Sequence, residues 1–157
     1  MDPETENELD PVAKEDAEIL YDVIKVCRDG EMLYRHVAGQ VEDQQSRNIF
    51  SYMARVLSKI VRELESEVLI RVAKPKKIGS AAGQISQWYS GAKSRFVDYH
   101  DKAFIDQLVE TTERSLQVFR AAVREVEDRS LVYRLSSQVA SFQIAYDRMR
   151  TFKNSYR

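Results

Sequence analysis

Residues 20–41, LYDVIKVCRDGEMLYRHVAGQV, decide the reading of this chain, because their pattern returns at residues 105–126, IDQLVETTERSLQVFRAAVREV. In the first stretch Leu20, Ile24, Cys27, Tyr34, Ala38 and Val41 recur at alternating spacings of four and three, which is one buried stripe on an α-helix. Position 31 completes the series and is Glu31. A shift of 85 residues lays Leu20 on Ile105, Ile24 on Val109, Tyr34 on Phe119 and Val41 on Val126. Val41-Glu42-Asp43 closes the first stripe and Val126-Glu127-Asp128 the second, so the chain reads as one helical hairpin used twice.

Working outward, the only prolines are Pro3, Pro11 and Pro75, which leaves 12–74 and 76–157 free of helix breakers. Ile49, Met53, Val56, Ile60 and Ile70 predict a second helix, and its series passes through Glu63 and Glu67. Ile105, Val109, Thr112, Leu116, Phe119, Val123 and Val126 predict a third behind an Asp101 cap; Leu131, Leu135, Val139, Phe142, Tyr146, Met149 and Phe152 predict a fourth. The predicted helices span 12–41, 46–73, 101–126 and 129–153. Residues 1–10 read as an acidic, solvated tail that ends in an Asp10–Pro11 start signal. The connection at 74–100, roughly 28 residues long, carries a short amphipathic segment at Ile85, Trp88, Tyr89, Ala92 and Phe96. A connection of this length returns the third helix parallel to the second. The expected fold is an all-α, ferritin-like four-helix bundle in one domain, residues 11–153.

Composition agrees. Apolar residues make up 43% of 157, and five glycines with three prolines are well below ordinary usage, which disfavours turn-rich β architectures. A net charge of -1 supplies no global field toward nucleic acid or an anionic membrane. The run Arg71, Lys74, Lys76 and Lys77 near Trp88, Tyr89 and Lys93 reads as a solvated linker, so neither nucleic acid nor membrane is expected as a partner. A single cysteine, with no apolar leader or spanning segment in the sequence, points to the cytoplasm.

Catalytic motifs are missing: there is no CxxC, HExxH, phosphate loop or GxGxxG. His36 lies off the stripe of its helix, His100 precedes the Asp101 cap, and Cys27 sits among apolar residues as a small hydrophobe. Carboxylates remain. A charged glutamate on a buried stripe is costly unless paired or metal-bound. Glu31, Glu63 and Glu67 lie on such stripes, and Glu113 borders that of the third helix. Carboxylates projecting inward from facing helices are how bundles build di-iron and di-manganese centres.

Cys27-Arg28-Asp29-Gly30-Glu31, the linker Gly79-Ser80-Ala81-Ala82-Gly83 leading to Trp88, and Glu110-Thr111-Thr112-Glu113 resemble an uncharacterised bacterial four-helix-bundle family, a domain of unknown function in the ferritin-like superfamily. The resemblance spans about residues 16–153 and implies a cytoplasmic bundle associated with stress responses, with no established activity. It places Glu31 and Glu113 at the single-glutamate positions of two helices, and Glu63 at the start of a Glu-x-x-His motif. The chain departs from that ligand set. Ser66 stands where the histidine belongs, and Tyr146 and Met149 stand where the fourth helix has its glutamate and histidine. Glu67 and Asp147 are the available substitutes, and an all-oxygen set suits Mn, Mg or Ca better than a redox iron pair. An ideal hairpin also offsets Glu31 from Glu63 by about 9 Å.

The competing expectation is that the glutamates pair with Arg55, Arg62 or Arg120 or stay hydrated. The sequence therefore predicts a non-enzymatic bundle with no cofactor; the alternative is an Fe or Mn carboxylate protein acting as oxidase, peroxidase or metal buffer through Glu31, Glu63 and Glu113. The amphipathic segment around Trp88 must cover its apolar face, and a homodimer through it is the expected assembly.

Overall fold

The computed structural model describes residues 11–71 and 101–156, and over them the chain forms α-helices and no strand. They are α1 (Pro11–Gln40), α2 (Gln44–Arg71), α3 (Lys102–Glu125) and α4 (Arg129–Ser155). Each boundary falls within two residues of the expected one. The tail at 1–10, Asp10 as a cap, the amphipathic segment around Trp88, the lysines of the linker and His100 lie outside the described residues.

The two tight turns share one construction. The Val41 N–H bonds the Val37 carbonyl at 3.2 Å, and the Val126 N–H bonds the Ala122 carbonyl at 3.0 Å. Asp43 then accepts the Ser46 N–H at 2.8 Å, while Asp128 accepts those of Ser130 and Leu131 at 2.9 and 3.3 Å. Both aspartates cover amide groups that a helix start leaves unpaired. Asp101 does the same for α3 through Ala103 at 3.1 Å.

Each helix packs on two others: α1 on α2 and α3, α4 on α2 and α3, with no close backbone approach across either diagonal among the described residues. Side-chain pairs give the directions. Asp16 near the start of α1 meets Glu127 and Asp128 beyond the end of α3, and Tyr34 meets Thr112, so α1 and α3 are antiparallel. Arg71, Glu67 and Glu63 meet Asp128, Arg134 and Gln138 in that order, so α2 and α4 are antiparallel too. Since each hairpin is antiparallel, α2 and α3 run the same way across a diagonal.

The duplication extends through the core. Leu20 and Ile105, Ile24 and Val109, Tyr34 and Phe119, and Val41 and Val126 are all buried, as the repeat requires. The same shift pairs Phe50 with Leu135, Leu57 with Phe142, Val61 with Tyr146 and Leu64 with Met149, again buried on both sides. Burying each large side chain contributes about 1.5–3 kcal/mol, so this axial stack is the main source of stability. Phe50 packs edge-on against Phe152 at 5.8 Å, which ties α2 to α4 near the open end of the second hairpin.

One expectation is corrected. The buried face of α2 runs through Phe50, Met53, Ala54, Leu57, Ile60, Val61, Leu64, Glu67 and Val68. Ile49 and Val56 are only partly buried and Ile70 is 73% exposed. Wedged between α1 and α4, the helix turns an arc centred near Leu57 and Leu64 inward, about one residue away from the expected stripe. Glu63 is thereby carried to the surface.

Candidate functional site

Gly30 and Glu31 both border the buried stripe of α1, each half-buried. A Cβ at Gly30 would stand 2.9 Å from Leu57 Cδ1, so the missing side chain is what lets α1 and α2 approach. Glu31, its side chain 14% exposed, accepts from Arg35 one turn on at 2.6 Å. Glu63 is exposed, accepts from Gln138 Nε2 at 3.0 Å and lies 3.9 Å from Lys59. Glu113 is exposed and takes the hydroxyl hydrogen bond of the buried Tyr146, whose phenol is pushed up first by burial and then by that carboxylate. Asp147 is exposed and accepts from Gln143 at 3.0 Å. The three candidate ligands thus stand apart on three helices, each engaged locally. Among the described residues no group of three or more His, Cys, Asp or Glu side chains is placed to hold a metal ion.

The arginines named from sequence are not the partners found. Arg120 bonds Gln143, while Arg55 and Arg62 form no ion pair with a described residue.

Glu67 does lie on the buried face, and it anchors an ionic cluster at one end of the bundle. Its side chain is 7% exposed and accepts from Arg71 at 2.6 Å and from Arg134 on α4. Arg71, 9% exposed, also reaches Asp128 at 3.0 Å. Beside them Asp16, 1% exposed, accepts the backbone N–H groups of Glu127 and Asp128, each at 3.1 Å. Hydrogen bonds from the Ser130 hydroxyl and the Leu131 N–H, with Arg71 nearby, hold the Asp128 carboxyl below its usual range. The cluster locks α1, α2 and the α3–α4 turn together, which is structural chemistry. Asp16 and Arg134 carried no signal in the sequence, since one reads as a helix-start acid and the other as a surface base.

Deeper in the bundle, the Thr112 hydroxyl donates to the Leu108 carbonyl at 2.8 Å, which leaves Tyr34 to donate to Thr112. Burial raises the Tyr34 phenol well above its usual range and pushes the Cys27 thiol up to about 12. Thiolate is the nucleophilic form, so Cys27 is inert at neutral pH. His36 is exposed on α1.

No curated protein and no solved structure matches the chain. Residues 15–125, from the first turn of α1 to the last residue of α3, match the family described as a domain of unknown function, DUF2383, and the chain belongs to that family.

Proposed function

We propose that this DUF2383 protein is a ferritin-like bundle that acts through what its outer faces bind and carries out no catalysis. The observation that carries the reading is the filling of the bundle axis. Cys27, Tyr34, Leu57, Thr112, Phe119 and Phe142 are buried in the interior, where facing carboxylates would have to meet. Glu31, Glu63 and Glu113 are engaged instead by Arg35, by Gln138 with Lys59, and by Tyr146. The parallel course of α2 and α3 supports the ferritin-like arrangement, in which one long connection joins two hairpins.

Elemental analysis of the purified full-length chain tests this. The expected result is less than one tightly bound transition metal per chain, and a stoichiometry near two would overturn the reading in favour of a carboxylate metal centre. We further propose a homodimer through the segment around Trp88, on the strength of its amphipathic sequence. Trp88→Asp lowers the mass seen by light scattering if this holds, and an unchanged mass refutes it.

A further inference from the structure

Between α1 and α2, on the face away from α3 and α4, runs a groove of about 680 Å³. Arg35, Arg47, Arg55, Lys59 and Arg62 line it, and no acidic side chain does. The rest of its lining is small, Ala38, Gly39, Ser51, Ala54 and Ser58, which leaves room between the long cationic side chains.

The charges are placed against local convenience. Residues 44–62 of α2 carry four cations and no Asp or Glu, although the start of a helix favours acidic side chains. Arg47, in the first turn, bonds the Val41 carbonyl at 3.1 Å, and a neutral carbonyl leaves its charge uncompensated. Arg55 and Arg62 form no ion pair with a described residue, whereas Arg35 has the Glu31 carboxylate at 2.6 Å and Lys59 has that of Glu63 at 3.9 Å. A chain with net charge -1 has enough acids to neutralise this face, yet α2 keeps Glu63, Glu65 and Glu67 in its last third. Violations of local preference with no compensating contact mark functional surfaces.

We infer that this groove binds a linear chain of phosphates, of the inorganic oligophosphate type, through guanidinium, ammonium and hydroxyl contacts. Guanidinium forks match phosphate oxygens and stay charged at every physiological pH. From Arg47 to Arg62 the helix rises about 22 Å, so the cations form a track rather than a point, which suits an extended anion. The same repeated phosphate occurs in the backbone of single-stranded nucleic acid. Such strands are held by aromatic platforms as well as by charge, and none of the lining residues is aromatic. The inference rests on the reading of this chain as a binding protein and names the ligand class of one face.

The test is calorimetric titration of the full-length chain with sodium tripolyphosphate, with long-chain polyphosphate and with an oligothymidylate of matched charge. The expected result is binding of both phosphate chains, tighter for the longer, weakening roughly threefold per phosphate contact when salt rises from about 50 to 200 mM. Arg55→Gln with Arg62→Gln should weaken binding by roughly tenfold or more without moving the thermal midpoint. Arg114→Gln, on α3 and paired with Glu110, should leave it unchanged. Three results overturn the inference: no polyphosphate binding at low salt, equal affinity in the double variant, or tighter binding of the oligothymidylate, which would make the ligand a nucleic acid. None of these alters the metal content, so failure here is distinguishable from failure of the binding-protein reading.

Discussion

Glu67→Gln is the most informative single perturbation of the fold. Glu67 occupies the position that the repeat fills with Phe152 in the second hairpin, so a buried charge stands where its counterpart is an aromatic ring. Removing one partner of a buried ion pair costs about 3–5 kcal/mol, because the other charge is left unpaired in a poorly solvated place. Two features reduce that figure. Arg134 is 53% exposed and its share falls to about 0–1 kcal/mol, and Arg71 keeps Asp128 as a partner. A loss of about 2–3 kcal/mol follows, which lowers the thermal midpoint of a chain this size by roughly 5–10 °C. Urea unfolding followed by circular dichroism measures it, with an unchanged slope expected. Glu63→Gln, at an exposed carboxylate, should cost less than about 0.5 kcal/mol. Equal losses for the two variants would refute the assignment of Glu67 to the interior and Glu63 to the surface. In the double variant Glu67→Leu, Arg71→Met the loss should shrink, since removing both charges leaves neither stranded.

The two described glycines should respond with opposite signs. Gly39 has nothing within 4 Å of an added Cβ, so Gly39→Ala should stabilise by about 0.5–1 kcal/mol, whereas Gly30→Val, crowding Leu57, should destabilise by about 1–3 kcal/mol; thermal melts that move the same way would contradict the close approach. Alkaline pH should weaken the fold. Because burial raises the Cys27 thiol from 9.0 to about 12, the folded state keeps a proton that the unfolded state releases. That contribution is complete below about pH 9 and is lost as pH rises toward 12. Cys27→Ala should therefore show a shallower fall in urea midpoint than wild type over this window, and parallel curves would argue against it.

Most of the fold was legible because the signals were redundant. The apolar period, the 85-residue repeat, the two Val-Glu-Asp turns and the near-absence of proline all require the same four helices, and the boundaries moved by no more than two residues. The phase of α2 was not legible from its own sequence. Ile49, Phe50, Met53, Val56, Leu57, Ile60, Val61 and Leu64 form two overlapping apolar arcs, and periodicity cannot choose between them. The repeat could have chosen. Shifting the fourth-helix stripe back by 85 residues gives Ser46, Phe50, Ala54, Leu57, Val61, Leu64 and Glu67, all of which are buried. Glu63 was misplaced for that reason. Glu31 does border the buried stripe at 14% side-chain exposure, but its pairing with Arg35 and the close approach of Leu57 at the neighbouring Gly30 leave no mark in an apolar pattern. The ionic cluster depends on partners far apart in sequence, such as Asp16 with Glu127 and Asp128, and no local spacing announces them.

The central claim is that Glu63 and Glu113, two of the glutamates resembling a metal-ligand set, stand on the surface of a bundle whose axis is filled, and thiol accessibility tests it most directly. The only native cysteine, Cys27, is 1% exposed and held protonated, so it supplies an unreactive background. Glu63→Cys and Glu113→Cys, labelled with a maleimide near neutral pH under native conditions, are expected to react at the rate of an exposed thiol, orders of magnitude faster than Cys27. Labelling at either position as slow as that of Cys27 would place these side chains inside the bundle and contradict the account.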